Sequence, residues 1–183
     1  PIDIVKQYYL DSIDELLIID SVASLYGRNN LFELIKNITK DIFVPITLGG
    51  GIRSLKDIEN ALNSGADKVA INSAAINNPL LIKKAVQKFG SSTIVVSIET
   101  KKNSKGQWEV FYKNGREASG IELSKWILIA QKYNCGELLI TSIDKDGTKK
   151  GFDFELLNFI SEIKIKTPII FSGGCGSIND IKK

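Results

Sequence analysis

The stretch Pro45-Ile-Thr-Leu-Gly-Gly-Gly-Ile-Arg-Ser-Leu-Lys-Asp-Ile58 has a second, related copy in Pro168-Ile-Ile-Phe-Ser-Gly-Gly-Cys-Gly-Ser-Ile-Asn-Asp-Ile181. The two copies align without a gap at an offset of 123 residues. A shorter pair, Glu15-Leu-Leu-Ile18 and Glu137-Leu-Leu-Ile140, repeats at an offset of 122. Two separate matches at nearly the same offset indicate that the chain contains a duplicated half of about four repeating units.

Short apolar runs alternate with longer amphipathic runs along the chain. The short runs are rich in isoleucine and valine, as is typical of parallel strands covered on both faces. They are residues 16–20, 44–48, 68–71, 93–98, 138–142 and 169–172. The predicted helices are residues 2–10, 31–41, 55–63, 79–88, 121–132 and 154–163, with a further helix starting at Ser177. This alternation predicts a parallel sheet. Doubling four units gives a (β/α)8 TIM barrel built from two duplicated half-barrels.

The repeat also predicts where the chain lies within such a barrel. The run 93–98 would open the second half, so its counterpart should lie about 122 residues earlier, before Pro1. The last strand of the second half would follow Lys183. We therefore expect residues 1–183 to form a single barrel domain that lacks roughly the first and last strands.

Residues 101–120 interrupt the alternation. The aromatic and β-branched run 108–112 stands between Gly106 and the turn-forming pair Asn114-Gly115. This pattern predicts a small hairpin excursion from the barrel.

Composition excludes several classes of function. The net charge of +3 is too small to indicate nucleic-acid binding, and no apolar run approaches the roughly 20 residues of a membrane span. Two cysteines, Cys135 and Cys175, are too few for a disulfide framework and favour the cytoplasm. The absence of histidine removes Ser-His-Asp and Cys-His schemes and the commonest zinc ligand. Acid–base chemistry must then use carboxylates, lysines, cysteines or tyrosines.

Both glycine-rich copies stand where a strand leads into a helix. Backbone amides in the first glycine loop (residues 48–52, with Gly50 and Gly51) can approach an anion, and the following helix N-terminus adds positive potential. The second glycine loop (residues 172–176) doubles the arrangement, which suits a substrate with two phosphates. Glycines there can also serve tight turning alone. Asn72 and Ser73 follow the next strand and would complete the first phosphate site, or else cap the helix at 79–88.

Acidic residues at strand ends are catalytic candidates, because active sites of such barrels lie at the carboxyl ends of the strands. Glu99 is the preferred general acid–base. Its alternative is a solvated ion pair with Lys101 or Lys102. Asp146-Gly147 follows the strand at 138–142 and is either part of the site or only a turn.

Three charged residues lie near the beginnings of strands, at the opposite end of the barrel. They are Glu15, Lys68 and Glu137, and the two glutamates are equivalent under the repeat. Buried charges are costly unless paired, and such clusters serve function or register. The alternative to a functional role is that the three residues form a salt-bridge cluster that only stabilises the structure.

The sequence resembles the cyclase subunit (HisF) family of imidazole glycerol phosphate synthase. The resemblance rests on Val44–Ser54, Gly65–Val69, Ile71–Ala75, Thr141–Thr148 and Ser172–Gly176, and it covers the whole chain. The family is a (β/α)8 barrel of two duplicated halves. Its substrate is a bisphosphorylated ribulosyl-formimino-aminoimidazole carboxamide nucleotide. Its products are imidazole glycerol phosphate and an aminoimidazole carboxamide ribotide. The resemblance implies no metal and no cofactor.

The resemblance also implies roles for individual residues. One phosphate would lie on the first glycine loop with Asn72 and Ser73, and the other on Asp146-Gly147 with Gly173 and Gly174 of the second loop. Ammonia from a partner glutaminase would pass a gate, formed in this family by the residues matching Glu15, Lys68 and Glu137. Asp67, beside the gate, would face the glutaminase.

One position departs from the family pattern. The family carries a catalytic aspartate at the end of the fifth strand, where this sequence has Glu99. The added methylene moves the carboxylate by about 1.5 Å, and misplacement on that scale can cost on the order of 100-fold in rate. Two alternatives to the cyclase role therefore stay open. One is a paralogue that supports ammonia delivery for amidation of a surface-polysaccharide sugar, and the other is an inactive scaffold that activates a glutaminase.

Overall fold

The computed structural model describes residues 2–20 and 31–182. Eight α-helices, one short 3-10 helix (Ser91–Thr93) and eight strands are assigned within these ranges. The helices are α1 Ile2–Leu10, α2 Leu31–Ile38, α3 Leu55–Asn63, α4 Ser73–Asn77, α5 Leu80–Phe89, α6 Leu123–Lys132, α7 Phe154–Ser161 and α8 Ile178–Ile181. The strands are β1 Leu16–Ile19, β2 Ile46–Gly49, β3 Lys68–Ile71, β4 Ile94–Lys102, β5 Trp108–Tyr112, β6 Glu117–Glu122, β7 Glu137–Ser142 and β8 Ile169–Ser172.

Six strands form a curled parallel sheet in the order β1-β2-β3-β4-β7-β8. Every predicted parallel strand is present, and the sequence of strand, helix and strand confirms the predicted barrel-type fold. The boundaries differ most at two places. Strand β4 continues to Lys102, beyond the predicted end at residue 98, and helix α2 ends at Ile38 rather than residue 41. The short helix α4 was not predicted.

The predicted hairpin is confirmed and explains the long β4. Strands β5 and β6 pair antiparallel with each other, and β5 pairs antiparallel with the second half of β4. The Thr100 hydroxyl donates to the Glu109 carbonyl at 2.8 Å, which ties the hairpin to the strand. The carboxyl end of β4 is therefore hydrogen-bonded to the hairpin beyond the parallel part of the sheet.

The two faces of the parallel sheet are buried differently. The main core lies on the outer face against the helices, and Ile58, Ile82, Ile94, Ile98 and Trp126 are almost wholly buried there. A separate small cluster of Ala70, Val95 and Leu139 lies apart from it. Because successive side chains on a strand point to opposite faces, this cluster belongs to the inner face, together with residues two positions away on each strand.

The sequence repeat is also a structural repeat. Leu16 N donates to Pro45 O and Leu138 N to Pro168 O, both at 2.9 Å. Gly50 lies against the backbone of Asp20 at the end of β1, and Gly173 against the backbone of Ser142 at the end of β7. Equivalent contacts at offsets of 122 and 123 are what a duplicated half requires.

These glycines are needed where two backbones nearly touch. A Cβ added at Gly50, which has φ +93°, would lie 2.2 Å from the Asp20 carbonyl oxygen. Gly90 has nearly the same φ, +92°, but a Cβ there would meet nothing within 4 Å.

We predict that Gly50→Ala destabilises the protein much more than Gly90→Ala. In the matched variant Gly90→Ala, only backbone strain lowers the stability, by about 1–3 kcal/mol. Gly50→Ala must also move the end of β1, and its loss should exceed about 4 kcal/mol. Free energies of unfolding from urea titration measure both. Equal losses would show that the first glycine loop does not depend on contact with Asp20.

Candidate active site

A cavity of about 770 Å³ opens at the carboxyl ends of the parallel strands. It brings together residues from β1, β2, β3, β4, β7 and β8 and from the turn between β5 and β6. Of the residues predicted for the site, six line it: Gly50, Gly51, Asn72, Ser73, Glu99 and Asp146. The sequence-based grouping of the first glycine loop with a strand-end carboxylate therefore matches the geometry.

Glu99 lies half-buried in the cavity wall. Its Oε2 accepts hydrogen bonds from Asn72 Nδ2 at 3.1 Å and from Gly115 N at 2.9 Å. Burial raises the pKa of Glu99, the bonds from Gly115 and Asn72 oppose this, and the charge of Asp146 adds to the rise, so that the pKa lies above its ordinary value. A carboxyl group with a raised pKa holds a proton at higher pH, as a general acid–base requires.

The alternative of an ion pair between Glu99 and a neighbouring lysine is wrong. Lys101 lies over the Phe111 ring at 4.9 Å from its centroid, and Lys102 pairs with Glu155. Both lysines belong to the hairpin side of β4 and are directed to groups other than Glu99.

Asn72 and Ser73 stand at the junction of β3 and α4. The Ser73 hydroxyl oxygen accepts from Lys113 N at 3.0 Å, which leaves its own O–H to donate. Neither residue caps the helix at 80–89, because Pro79 occupies the N-cap position of that helix. The helix-cap interpretation is therefore wrong, and both side chains belong to the cavity.

The second glycine loop is less open to the cavity than the first. Asp146 and Ser172 line the cavity, but Gly147, Gly173 and Gly174 are not part of its lining. A Cβ at Gly173 would lie 2.8 Å from the Ser142 carbonyl, and the Gly174 carbonyl accepts from Gly151 N at 2.8 Å. Close backbone packing is thus an observed reason for these two glycines, and their predicted contact with a phosphate stays a prediction.

An aspartate occupies the helix N-terminus behind each glycine loop. Asp57 Oδ2 accepts from Arg53 N at 3.0 Å and from the Ser54 hydroxyl at 2.8 Å. Asp180 Oδ2 does the same with Gly176 N at 3.1 Å and the Ser177 hydroxyl at 3.0 Å. These carboxylates already complement part of the positive end of each helix. Anion binding at either loop therefore depends mainly on the backbone amides of the loop. The helix N-terminus contributes less than the sequence alone suggested.

The three predicted gate residues meet at the amino-terminal end of the sheet. Lys68 Nζ lies 2.8 Å from Glu15 Oε1 and 2.6 Å from Glu137 Oε1. The Thr47 hydroxyl also donates to Glu15 Oε1, at 3.0 Å. Burial lowers the pKa of Lys68, but the hydrogen bonds with Glu137 and Glu15 outweigh it, so the pKa is raised. Among the described residues, Glu137 Oε2 is buried without a hydrogen-bond partner.

Asp67 lies beside this cluster and is exposed. Its Oδ2 accepts from Ile46 N at 2.8 Å, and its own N–H donates to the Ile46 carbonyl at 2.9 Å. The side chain therefore also caps the amino-terminal end of the β2–β3 pairing. A role toward a partner stays a prediction.

Sequence inspection missed part of the cavity wall. The missed residues include Arg53, Ser97, Lys113, Asn114 and Thr141. Ser97 and Thr141 could have been found, since Ser97 lies two residues before Glu99 and Thr141 four residues after Glu137, which places each on the same face of its strand as a predicted residue. Lys113 and Asn114 carried only a turn signal, and nothing local places that turn over β4.

Two features are absent from residues 2–20 and 31–182. No group of three or more Cys, Asp and Glu side chains that could hold a metal ion occurs in them. None of their helices combines the length and the apolar character needed to cross a membrane.

Comparison with known proteins gives one consistent result. The family model described as "Histidine biosynthesis protein" matches residues 1–183. Relatives named "Imidazole glycerol phosphate synthase subunit HisF" include one from Legionella pneumophila, 48% identical over 98% of this chain and 84% of its own length. Another from Endomicrobium trichonymphae is 44% identical over 100% of this chain and 70% of its own, and one from Lactococcus lactis 47% identical over 99% and 70%.

The Lys68 cluster gives a stability prediction. Lys68→Met leaves two glutamates facing each other in a partly buried place, with the Glu15 side chain 36% exposed and that of Glu137 19% exposed, so we expect a loss of about 1–3 kcal/mol. Lys88→Met is the matched control, because Lys88 bonds to Glu59 at 3.2 Å but its side chain is 47% exposed, and exposed pairs contribute about 0–1 kcal/mol. Unfolding in urea measures both variants. Similar losses would contradict a structural contribution of the cluster.

The raised pKa of Glu99 predicts a pH-dependent stability. The native state holds this proton more tightly than the unfolded state does. The resulting stabilisation is present below the ordinary Glu pKa of 4.5 and is lost as pH rises through the higher native pKa. The stability of Glu99→Gln relative to wild type should therefore increase as pH rises above 4.5.

Glu59 supplies a control of opposite sign. Hydrogen bonds from Lys56 and Lys88 lower its pKa. Its stabilisation is present above the ordinary pKa and is lost as pH falls, so Glu59→Gln should lose relative stability as pH rises. Urea unfolding between pH 3 and 8 measures both trends, that of Glu59→Gln at the acidic end and that of Glu99→Gln above 4.5. A flat difference for Glu99→Gln would refute its burial as a native-state feature.

Proposed function

Since this chain belongs to the histidine biosynthesis protein family, we propose that its cavity is where the cyclase chemistry of imidazole glycerol phosphate synthase takes place. The chain's role is that of the cyclase subunit of this enzyme, a lyase of histidine biosynthesis. The proposal for the site depends on one observation, the convergence of the first glycine loop, Asn72, Ser73 and Glu99 in one cavity.

The proposed substrate is the bisphosphorylated ribulosyl-formimino-aminoimidazole carboxamide nucleotide. One phosphate would lie at Gly50, Gly51 and Ser73, where the serine O–H can donate to it. Arg53 also lines the cavity and supplies positive charge on this side. The other phosphate would lie toward Asp146-Gly147 and the second glycine loop, whose Ser172 lines the opposite wall.

Glu99 is the proposed proton carrier. Ammonia attacks the substrate, and proton transfers then release imidazole glycerol phosphate and the aminoimidazole carboxamide ribotide. A carboxyl group in the cavity wall with a pKa above its ordinary value can both take and return a proton during these steps.

The proposed source of ammonia is a glutaminase partner docked at the amino-terminal end of the sheet. The cluster of Lys68, Glu15 and Glu137 would be the gate, and the exposed Asp67 would face the partner. The buried Glu137 Oε2, for which the described residues supply no donor, is an acceptor that a passing ammonia molecule would satisfy. The proposed compartment is the cytoplasm, where the free thiols of Cys135 and Cys175 fit a reducing environment.

The presence of Glu99, where the family pattern has an aspartate, also favours a second candidate function. If the glutamate reflects lost cyclase chemistry, the chain would be the paralogue that supports ammonia delivery for sugar amidation. The two candidates predict opposite responses to an aspartate at this position.

Turnover of the bisphosphate substrate with ammonium salt as nitrogen source tests the proposal. Wild type should turn over, and Glu99→Gln should lose on the order of 10²–10⁴-fold in kcat, the usual contribution of a general acid–base. Glu99→Asp should also lose activity, because the shorter side chain does not reach the donors that hold the glutamate. Glu59→Gln, on the outer surface, controls for the change of charge.

The contrary outcome is equally clear. An inactive wild type that Glu99→Asp rescues would refute the proposal and favour the paralogue. Inactivity of both, with activation of an added glutaminase retained, would favour the scaffold.

A further inference from the structure

We propose that the turn of the β5–β6 hairpin, residues 113–115, is a positioning element that fixes the carboxylate of Glu99 and selects which of its oxygens faces the cavity. The inference deepens the proposed function, since it concerns how Glu99 would be held for proton transfer. It assigns a role to a segment that lies outside the alternation of the barrel.

Both hydrogen bonds to Glu99 fall on the same oxygen. Gly115 N donates to Oε2 at 2.9 Å and Asn72 Nδ2 at 3.1 Å, from two elements that lie 16 and 27 residues from Glu99 in the chain. Two donors occupy the lone pairs of Oε2 that lie in the carboxylate plane. Oε1 is then the oxygen left to exchange a proton with a substrate in the cavity.

The turn is held on both sides of Glu99. On one side, Lys113 N donates to the Ser73 hydroxyl at 3.0 Å, beyond the end of β3. On the other side, Gly115 packs so closely on Ile143, beyond the end of β7, that an added Cβ would lie 3.2 Å from its side chain. The turn therefore bridges the strands that flank β4.

The backbone of the turn is unusual. Lys113, Asn114 and Gly115 have φ values of 54°, 59° and 70° in succession. Left-handed conformations cost about 1–2 kcal/mol for a residue with a side chain, and strain of this kind persists where surrounding contacts require it. The contacts with Ser73 and Glu99 are what this conformation achieves, because it directs the amides of Lys113 and Gly115 toward the cavity wall.

This arrangement gives a physical reason for tolerating glutamate at the strand end. A glutamate has one more rotatable bond than an aspartate, so its carboxylate has more positions to lose on ordering. Two donors on one oxygen remove that freedom before substrate binds. The cost of the longer side chain in catalytic geometry is thereby reduced.

Gly106, at the other turn of the hairpin, is a matched control. Its φ of +76° is close to the +70° of Gly115, but a Cβ there would meet nothing within 4 Å. Its amide donates to the Asn103 carbonyl at 2.9 Å and has no connection with Glu99. Alanine at either position pays a similar backbone penalty, and only Gly115→Ala disturbs the contact with Ile143.

The first test is a pH titration of the ¹⁵N-labelled protein, followed by its amide resonances. The Gly115 amide proton should shift as Glu99 loses its proton, with the same midpoint as the Asn72 side-chain amide. The Gly106 resonance should not follow that midpoint. Glu99→Gln should abolish the Gly115 shift. A Gly115 resonance that does not titrate, or that still titrates in Glu99→Gln, would overturn the proposal.

The second test compares kcat and KM in the cyclase assay. Gly115→Ala should lower kcat by roughly 10- to 100-fold, since misplacement by about 1 Å has that effect, and KM should change little. Gly106→Ala should match wild type. In the Glu99→Asp background, adding Gly115→Ala should lower kcat little further. Equal effects of the two glycine variants, or full additivity with Glu99→Asp, would count against positioning.

The two tests separate the two proposals. An inactive wild type would defeat the proposed cyclase function, whereas the titration of the Gly115 amide would still decide whether the turn holds Glu99.

Discussion

The strict alternation of side chains along six registered parallel strands is the constraint on which the rest of this molecule depends. Thr47 pairs with Lys68, Ala70 with Val95, and Glu99 with Thr141. A slip of one residue would move every inner-face side chain to the outer face. With this register kept, the inner face has a charged layer, an apolar layer and a polar layer, and the outer face is free to pack on helices.

The layers explain why the two polar regions differ in character. At the amino-terminal end, a lysine with two glutamates forms an ion cluster, because partly buried charges are costly unless they are paired. At the carboxyl end, Glu99 is held by neutral donors and keeps a raised pKa. Ala70, Val95 and Leu139 separate the two regions. One end is thus suited to a fixed charge arrangement, and the other to the exchange of a proton.

The hairpin shows where local sequence stops being informative. Only strand β5 and the Asn114-Gly115 turn were predicted from local patterns, and strand β6 was missed. The extension of β4 to Lys102 was not predicted either, because those residues are paired by β5 rather than by another parallel strand. The contacts of Lys113 with Ser73 and of Gly115 with Glu99 join residues 40 and 16 positions apart, and no local pattern reports such distances.

The sequence by itself determined the class of fold, the repeat and the candidate site residues. Hydrophobic period, glycine placement and the offset of 122–123 residues are local or self-referential signals, and they predicted six strands, the glycine loops, the strand-end carboxylate and the charged cluster. Only the tertiary structure decided which of these meet. It placed Gly50, Asn72 and Glu99 in one cavity, left Gly173 and Gly174 packed on backbone, and set the hairpin turn over the carboxylate. The reason is physical: a backbone amide has no side-chain signature, so its partner is known only once distant strands are in register.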